Sequence, residues 1–168
     1  MVAALSAAGL APRIVNGGGT GSLAWCAGEA ALTEVTAGSG FLAGHLFDYY
    51  QGLALAPALY FALQVTRRPT PDIVTCHGGG YPASGAAGAD RLPIPALPPG
   101  LTLLPREGAG EVQTPLRVPP GVTLQLGDPV LFRPAKSGEL AERFNEYLLL
   151  SDRLEARAPT YRGLGHCF

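Results

Sequence analysis

The chain has 168 residues, of which 47% are hydrophobic and 15% charged, and its formal net charge at pH 7 is −1. This apolar fraction is enough for one ordinary domain or two small ones and excludes an intrinsically disordered protein. Because no basic run occurs, a nucleic-acid surface has no electrostatic support, and no apolar stretch reaches the roughly 18 residues of a membrane span. The three cysteines form no C-x-x-C pair, so we expect no disulfide framework and a location in the cytoplasm.

The first part of the chain alternates between short helices and strands. Residues 1–12 are apolar and lack a basic start, which predicts the end of a core helix rather than a leader peptide. We expect a strand over 13–15, a glycine loop, a helix over 23–31 and a strand over 33–36. This alternation is typical of a βα barrel or an open parallel sheet.

The run NGGGTGS at 16–22 lies between the first strand and the helix. Consecutive glycines let backbone N–H groups face an anion, a helix start adds partial positive charge, and Thr20 and Ser22 offer hydroxyls. The run has no lysine after its glycines, and a serine stands where a dinucleotide-binding motif needs its third glycine. It therefore predicts a phosphate-binding loop of another kind, with a plain strand-to-helix turn as the alternative.

From about residue 67 the pattern changes to short β-like runs separated by proline and glycine. The proline-rich stretch 92–100 is expected to be irregular, because each proline removes a backbone donor. The sequence thus predicts an α/β plus β protein, with an α/β portion over 1–66 and a small, mostly β portion over 67–168. The expected strands cover 59–66, 73–76, 101–104, 111–116 and 130–133, and a hairpin pairs 147–150 with 154–158.

The α/β portion is too short to complete a parallel sheet, since its strands need neighbours and helices on both faces. We therefore expect the chain to be a truncated gene product or one piece of a split protein. Its partner would be the missing N-terminal part of the barrel.

Several motifs, in the same order and at similar spacing, resemble the C-terminal half of the amino-acid deaminase/aldolase proteins. That group resembles D-threonine aldolase and D-serine dehydratase, among the alanine racemase-like enzymes that use pyridoxal 5′-phosphate. The motifs are NGGGTGS at 16–22, TEVTAGSG at 33–40, LFD at 46–48, GGGYPASG at 78–85, DRLP at 90–93, EGAGEVQT at 107–114 and TYRG at 160–163.

The resemblance implies both a domain organisation and an activity. Residues 1–66 would be the terminal βα units of a cofactor-binding barrel, and 67–168 a D-serine dehydratase-like β domain. The whole protein would be a lyase that acts on hydroxy amino acids, by retro-aldol cleavage or by dehydration and deamination, and it could be a homodimer. The alternative is a non-catalytic module or truncated remnant that binds phosphate or pyridoxal phosphate and completes a partner's barrel.

The resemblance also implies a cofactor site, because in such barrels the loops after the last strands hold a phosphate through backbone amides. For the second loop by itself, a plain turn is the alternative. The implied residues are Gly18, Gly19, Thr20 and Ser22 in the first loop, and Gly38, Ser39 and Gly40 in the second.

Candidate catalytic residues are few. The lysine that the family bonds to its cofactor lies near the first barrel strand, in a region without a counterpart here, so we expect that the chain alone does not catalyse. The only lysine is Lys136, which is either a solvated surface side chain or a group facing the cofactor. Tyr81 and Tyr161 are further candidates, because the covering domain of alanine racemase-like enzymes can offer a tyrosine to the substrate; aromatic packing is the alternative.

A divalent metal is doubtful. Metal-dependent members of the family have a His-x-Cys or His-x-Asp pair where this chain has the stretch 134–136, which contains only proline, alanine and lysine. The remaining candidates are His166 with Cys167, and His77 with Cys76. On a strand the side chains of the second pair point to opposite faces. Without a third ligand at zinc-like spacing, we expect both pairs to be structural.

Two further polar pairs have more than one interpretation. Glu107 and Glu111 are either an acid–base pair or exposed residues that flank a turn. His45 and Asp48 are predicted to be a capping or surface pair.

Overall fold

The structure is a computed structural model, and it describes residues 1–166. Its helices and strands are short. The N-terminal group consists of α1 (Val2–Ala7), β1 (Asn16–Gly17), α2 (Leu23–Ala27), β2 (Glu34–Val35) and 3₁₀ helices at Thr20–Ser22, Ser39–Phe41 and His45–Tyr49. The remaining strands are β3 (Phe61–Thr70), β4 (Ile73–His77), β5 (Ile94–Leu97), β6 (Thr102–Leu103), β7 (Gln113–Arg117), β8 (Pro129–Arg133), β9 (Glu146–Leu150) and β10 (Leu154–Pro159), with 3₁₀ helices at Ala89–Arg91 and Glu139–Glu142.

A six-stranded antiparallel sheet, in the order β5-β8-β3-β4-β7-β6, contains most of the core. Its two edge strands, β5 and β6, come into contact, so the sheet is nearly closed. Along β3, Phe61, Leu63 and Val65 are buried while the residues between them are exposed. This period of two is the pattern of a strand with one buried face. The strand predicted over 59–66 is present, but it begins at Phe61 and continues to Thr70. Phe61 stacks on Phe132 of β8, with ring centroids 5.4 Å apart.

The N-terminal group contains a parallel β-α-β unit, but its first strand lies at Asn16–Gly17, inside the run predicted as a glycine loop, and not at residues 13–15. β1 pairs with β2 in parallel, with Asn16 opposite Glu34 and Gly17 opposite Val35. The pairing is only two residues long, and α2 ends at Ala27 instead of at residue 31 because Gly28 follows as its C-cap. The expected core helix at the N-terminus is present as α1, but none of its residues is buried.

The expectation that residues 92–100 are irregular is wrong. β5 pairs with β8, and Pro95 lies opposite Phe132. β5 is at the edge of the sheet, where a proline's missing N–H costs no inner hydrogen bond. The prolines alone gave no sign of this edge position.

The predicted C-terminal hairpin is confirmed. β9 and β10 pair antiparallel, with Leu150 opposite Leu154 and a bulge between Leu154 and Ala156. Arg157 forms an ion pair with Glu146 across the two strands. The hairpin forms its own two-stranded sheet, and its leucines at 148, 149, 150 and 154 are exposed.

The position at which we expect the two portions to meet, between residues 66 and 67, falls inside β3. The division into 1–66 and 67–168 stays a prediction. No helix within residues 1–166 is long and apolar enough to cross a membrane. The two cysteines in that range, Cys26 and Cys76, are free.

Candidate functional site

The two glycine loops lie side by side, joined by Thr20. Its hydroxyl oxygen accepts a hydrogen bond from the backbone N–H of Gly40 at 2.9 Å and lies 3.2 Å from the hydroxyl of Ser39. Thr20 is only 6% exposed, so this contact is internal to the site. Loops about twenty residues apart in the sequence thus form one surface.

The backbone of the first loop suits an anion. Gly18 has φ +102°, a conformation that favours glycine. Gly19 is extended, at φ 162°, and a Cβ added there or at Gly38 would meet no atom within 4 Å. Among residues 1–166, no hydrogen bond uses the backbone N–H of Gly18, Gly19 or Thr20 as donor. Backbone N–H groups beside open space are a typical cradle for phosphate.

The helix start contributes less to this site than its sequence predicted. α2 has five residues, and no side chain caps its N-terminus. Ser22 donates its hydroxyl hydrogen to the carbonyl of Gly19 at 3.4 Å and accepts a weak contact from the thiol of Cys26 at 3.6 Å. In this arrangement Ser22 closes the turn.

The second loop is fixed to the segment that follows β8. Ser137, 3% exposed, donates its hydroxyl hydrogen to the carbonyl of Ser39 at 3.3 Å. The backbone N–H groups of His45 and Leu46 donate to the carbonyls of Pro134 and Ala135 at 3.0 and 3.1 Å. The loops and residues 134–137 therefore form a connected unit.

Lys136, inside that unit, lines a cavity of about 220 Å³ together with Tyr81, Ser84, Glu139, Glu142 and Arg143. Its ammonium donates to the hydroxyl of Ser84 at 2.9 Å. The backbone N–H of Ser84 in turn donates to both carboxylate oxygens of Glu139, at 3.1 and 3.0 Å. Lys136 is partly buried and held in place, unlike a freely solvated surface lysine.

The electrostatics of the cavity keep Glu139 ionised. Partial burial acts to raise its pKa, but the hydrogen bonds from Ser84 and the charges of Lys136 and Arg91 outweigh burial and lower it. The cavity therefore contains the ionised carboxylate of Glu139, whose two oxygens accept hydrogen bonds from Ser84, and the ammonium of Lys136.

The two candidate tyrosines have different surroundings. Tyr81 packs edge-on against Phe61 and Phe144, at centroid distances of 5.3 and 5.9 Å, and the guanidinium of Arg143 lies 5.8 Å from its ring centre. Tyr81 both packs in the core and lines the cavity. The hydroxyl of Tyr161 reaches the carbonyl of Gly138 at 3.4 Å.

The candidate metal ligands His77 and Cys76 do not face the same side of their strand. His77 is exposed while Cys76 is completely buried, as expected for neighbours on a strand, and burial raises the pKa of the Cys76 thiol to about 11. His166 is exposed, and Cys167 lies outside the described residues. Within residues 1–166 no group of three or more His, Cys, Asp or Glu side chains could hold a metal ion. The described residues do not fit a divalent metal.

His45 and Asp48 were expected to be a capping or surface pair. Asp48 is exposed, whereas His45 is buried, and the 3₁₀ helix that contains them has no side-chain cap. His45 is 2% exposed, and its Nε2 lies 2.7 Å from the carbonyl oxygen of Leu92. Asp48 accepts two hydrogen bonds from Arg133 of β8, at 2.7 and 3.0 Å. Both partners are distant in sequence, so no local pattern predicts these contacts.

Residues in three of the motifs that carried the resemblance have structural roles. At Gly80 an added Cβ would lie 2.7 Å from the backbone nitrogen of Glu111, so glycine is needed for close backbone packing. Thr114 is fully buried and donates to the carbonyl of Gly78 at 2.6 Å. Thr160 donates to the carbonyl of Phe144 at 2.5 Å. Glu107 and Glu111 are exposed.

Sequence reasoning missed Ser84, Glu139 and Ser137. Ser84 belongs to the GGGYPASG motif, and Ser137 follows the only lysine, so proximity to singled-out residues was the one available signal. Their roles depend on contacts that span 52 to 98 residues of sequence.

Comparison with solved structures identifies the fold. The chain superimposes on D-threonine aldolase from Filomicrobium marinum with a TM-score of 0.80 over 97% of its length, at 19% identity. It has the fold of the C-terminal domain of such enzymes. Structures of D-threo-3-hydroxyaspartate dehydratase also match: the H351A mutant with a TM-score of 0.72 and 21% identity, and the metal-free C353A mutant with 0.68 and 22%. These alignments cover 95% and 90% of this chain.

The chain spans less than half of the proteins it resembles, 45% of the aldolase and 46% and 44% of the two dehydratase mutants. Neither a protein-family model nor a curated protein sequence matches it.

Proposed function

We propose that this chain is the C-terminal portion of a pyridoxal-phosphate-dependent lyase acting on hydroxy amino acids, by retro-aldol cleavage or by dehydration and deamination. The observation that carries the proposal is the cradle made by the two glycine loops in a chain with the fold of D-threonine aldolase. The matched proteins, an aldolase and a dehydratase by name, support the choice of reaction class.

The cofactor, when bound, supplies the electron sink for the reaction. In our proposal the backbone N–H groups of Gly18, Gly19 and Thr20 bind its phosphate, and Gly38 leaves space for it. Ser39 and Gly40 keep Thr20 in position. The hydroxyl of Ser39 and the backbone N–H of Gly40 both contact the hydroxyl oxygen of Thr20.

The proposal includes a partner. The parallel pair of β1 and β2 has only two residues per strand, and among residues 1–166 no third strand pairs with it. A βα-barrel portion carrying the lysine that bonds to the cofactor would extend this pair, either as part of a longer chain or as a separate one. Small amino acids are the proposed substrates, and the cytoplasm is the proposed location.

A single substitution in the first loop tests the cofactor site. Gly19→Val is compatible with the fold, because Gly19 is extended and its Cβ position faces open space. The new side chain fills the space in which the phosphate is proposed to bind. Loss of a charge-assisted contact costs about 1.5–3 kcal/mol, so we expect pyridoxal phosphate to bind roughly ten- to a hundredfold more weakly.

Gly28→Val is the matched control, since a Cβ there meets only the carbonyl of Trp25 at 3.8 Å. Gly100 would be a less suitable position for the control substitution, because its φ is +86° and a side chain there would strain the backbone. Dissociation constants are measured for the chain combined with its barrel portion, with circular dichroism as the folding check. Equal affinities in the two variants would mean that the loop is only a turn. Cofactor binding without lyase activity would favour the non-catalytic module.

A further inference from the structure

The cavity beside Lys136 has no role in cofactor binding as proposed above. Its volume of about 220 Å³ is below the roughly 300–1,000 Å³ of pockets for drug-sized ligands, so it suits a ligand of few heavy atoms. Its lining comes from the loop that follows β4, the segment that follows β8, and the 3₁₀ helix at Glu139–Glu142 with the adjoining Arg143. The polar members are Tyr81, Ser84, Lys136, Glu139, Glu142 and Arg143.

The ammonium of Lys136 is oriented by its neighbours. Ser84 accepts one of its hydrogen bonds, at 2.9 Å, and the backbone of Ser84 is itself fixed by both carboxylate oxygens of Glu139. This chain of contacts keeps the lysine at the cavity wall. A long flexible side chain held in advance loses less entropy when it binds a ligand.

Lys136 also retains unused hydrogen-bonding capacity. An ammonium has three donors, and the hydrogen bonds among residues 1–166 account for one of them. Lys136 takes part in none of the ion pairs found within that range. Within that range neither Glu139, which is engaged by Ser84, nor Glu142, which also lines the cavity, forms an ion pair with Lys136. Two N–H groups of the ammonium are therefore left for a carboxylate from outside.

The cavity is also tied to the cofactor loops. The hydroxyl of Ser137, the next residue in the chain, donates a hydrogen bond to the carbonyl of Ser39. The carbonyl of Ala135 accepts a hydrogen bond from the backbone N–H of Leu46. A ligand at Lys136 would therefore be held at a fixed position relative to the glycine cradle.

We infer that this cavity binds the carboxylate of a small hydroxy amino acid, with Lys136 as the direct contact. The inference rests on the proposed function for the class of ligand. It assigns Lys136 a binding role that needs no covalent bond to the cofactor. The binding site is formed entirely by residues of this chain.

The test uses the full chain without cofactor and two probes that differ by one group. D-Threonine carries the carboxylate, and 1-aminopropan-2-ol is the same molecule without it. Titrations followed by ligand-observed saturation-transfer NMR should show binding of threonine and at least tenfold weaker binding of the amine. Comparable binding of both probes, or no binding of threonine, would overturn the inference.

Substitutions locate the contact. Lys136→Met should weaken threonine binding by about ten- to a hundredfold, while Lys136→Arg, which keeps the charge, should retain most of it. Arg106→Met is a charge-matched control outside the cavity and should leave the affinity unchanged. Full binding by the methionine variant contradicts the inference. Because no cofactor is present, a failure here is distinguishable from a failure of the lyase proposal, which is read from pyridoxal phosphate binding.

Discussion

Glu139 shows how one side chain depends on its contacts. Its carboxylate is partly exposed, yet both oxygens accept from the backbone of Ser84, and the charges of Lys136 and Arg91 act on it. Nothing in the local sequence Ser137-Gly138-Glu139 indicates these partners. The residue helps to hold Lys136 at the cavity because it fixes Ser84.

Replacing Glu139 should make the stability of the chain less dependent on pH. The pKa of Glu139 is lowered in the folded protein from its ordinary value of 4.5, so its ionised form stabilises the fold above that pH. This contribution is lost as the pH falls below 4.5 through the folded-state pKa. We expect Glu139→Gln to be less stable than the native chain at pH 7 and the difference to shrink at about pH 3.5.

Urea unfolding at the two pH values measures this difference. Glu107→Gln is the matched control, because Glu107 is exposed and its carboxylate has no ion pair within residues 1–166. Its effect should be small at both values. A destabilisation by Glu139→Gln that is the same at both pH values would contradict the assigned contacts.

The two glycine loops form one candidate phosphate site only because hydrogen bonds connect them. Thr20, in the first loop, contacts Ser39 and Gly40 in the second, and Ser137 then connects the second loop to the β sheet. Each loop alone is compatible with an ordinary turn. The sequence predicted both loops, and their approach depends on the parallel pairing of β1 and β2.

Thr20→Val tests this connection. Valine has nearly the same shape but leaves the backbone N–H of Gly40 without its acceptor. The contact is part-buried, and an unsatisfied buried donor costs about 1–3 kcal/mol, so the free energy of unfolding should fall by about 1 kcal/mol, the lower end of that range, in urea titrations. Thr20→Ser should be closer to the native chain. Thr123→Val, at an exposed position, should change stability by less than about 0.5 kcal/mol, and an equally small effect at Thr20 would mean that the contact is unimportant.

Many large apolar side chains are exposed to solvent in the N-terminal group and in the C-terminal hairpin. Trp25 is 86% exposed, Phe41 82% and Tyr49 67%. Large apolar side chains exposed in such numbers are typical of surfaces that are covered by another chain or segment. The two-residue pairing of β1 and β2 leaves strand edges open as well.

We therefore predict that the isolated chain self-associates. Light scattering should give a mass above that of the 17.4 kDa monomer, or show poor solubility. The double variant Trp25→Asp, Phe41→Asp should shift the distribution toward the monomer, because it replaces two highly exposed apolar side chains by charged ones. The variant Arg106→Asp adds negative charge elsewhere and should not. A stable monomer of the native chain would show that these surfaces need no partner.

Local sequence signals predicted much of the fold. The β-like run at 59–66 predicted β3, and residues 151–153 between two β-like runs predicted the β9–β10 hairpin. The helix at 23–31 was predicted too long because the weight of Gly28 as a stop was underestimated. β5 was missed because its prolines are tolerated only at an edge, and edge position is a property of the assembled sheet.

The sequence alone determined the glycine loops, the single lysine and the mostly β second half, since these follow from residue type and short-range periodicity. The tertiary structure decided which of them meet. It joined the loops through Thr20, turned Lys136 toward a cavity with Ser84 and Glu139, and buried His45 against Leu92. The physical reason is that these contacts link residues 20 to 55 positions apart, and sheet pairing rather than local sequence brings such residues together.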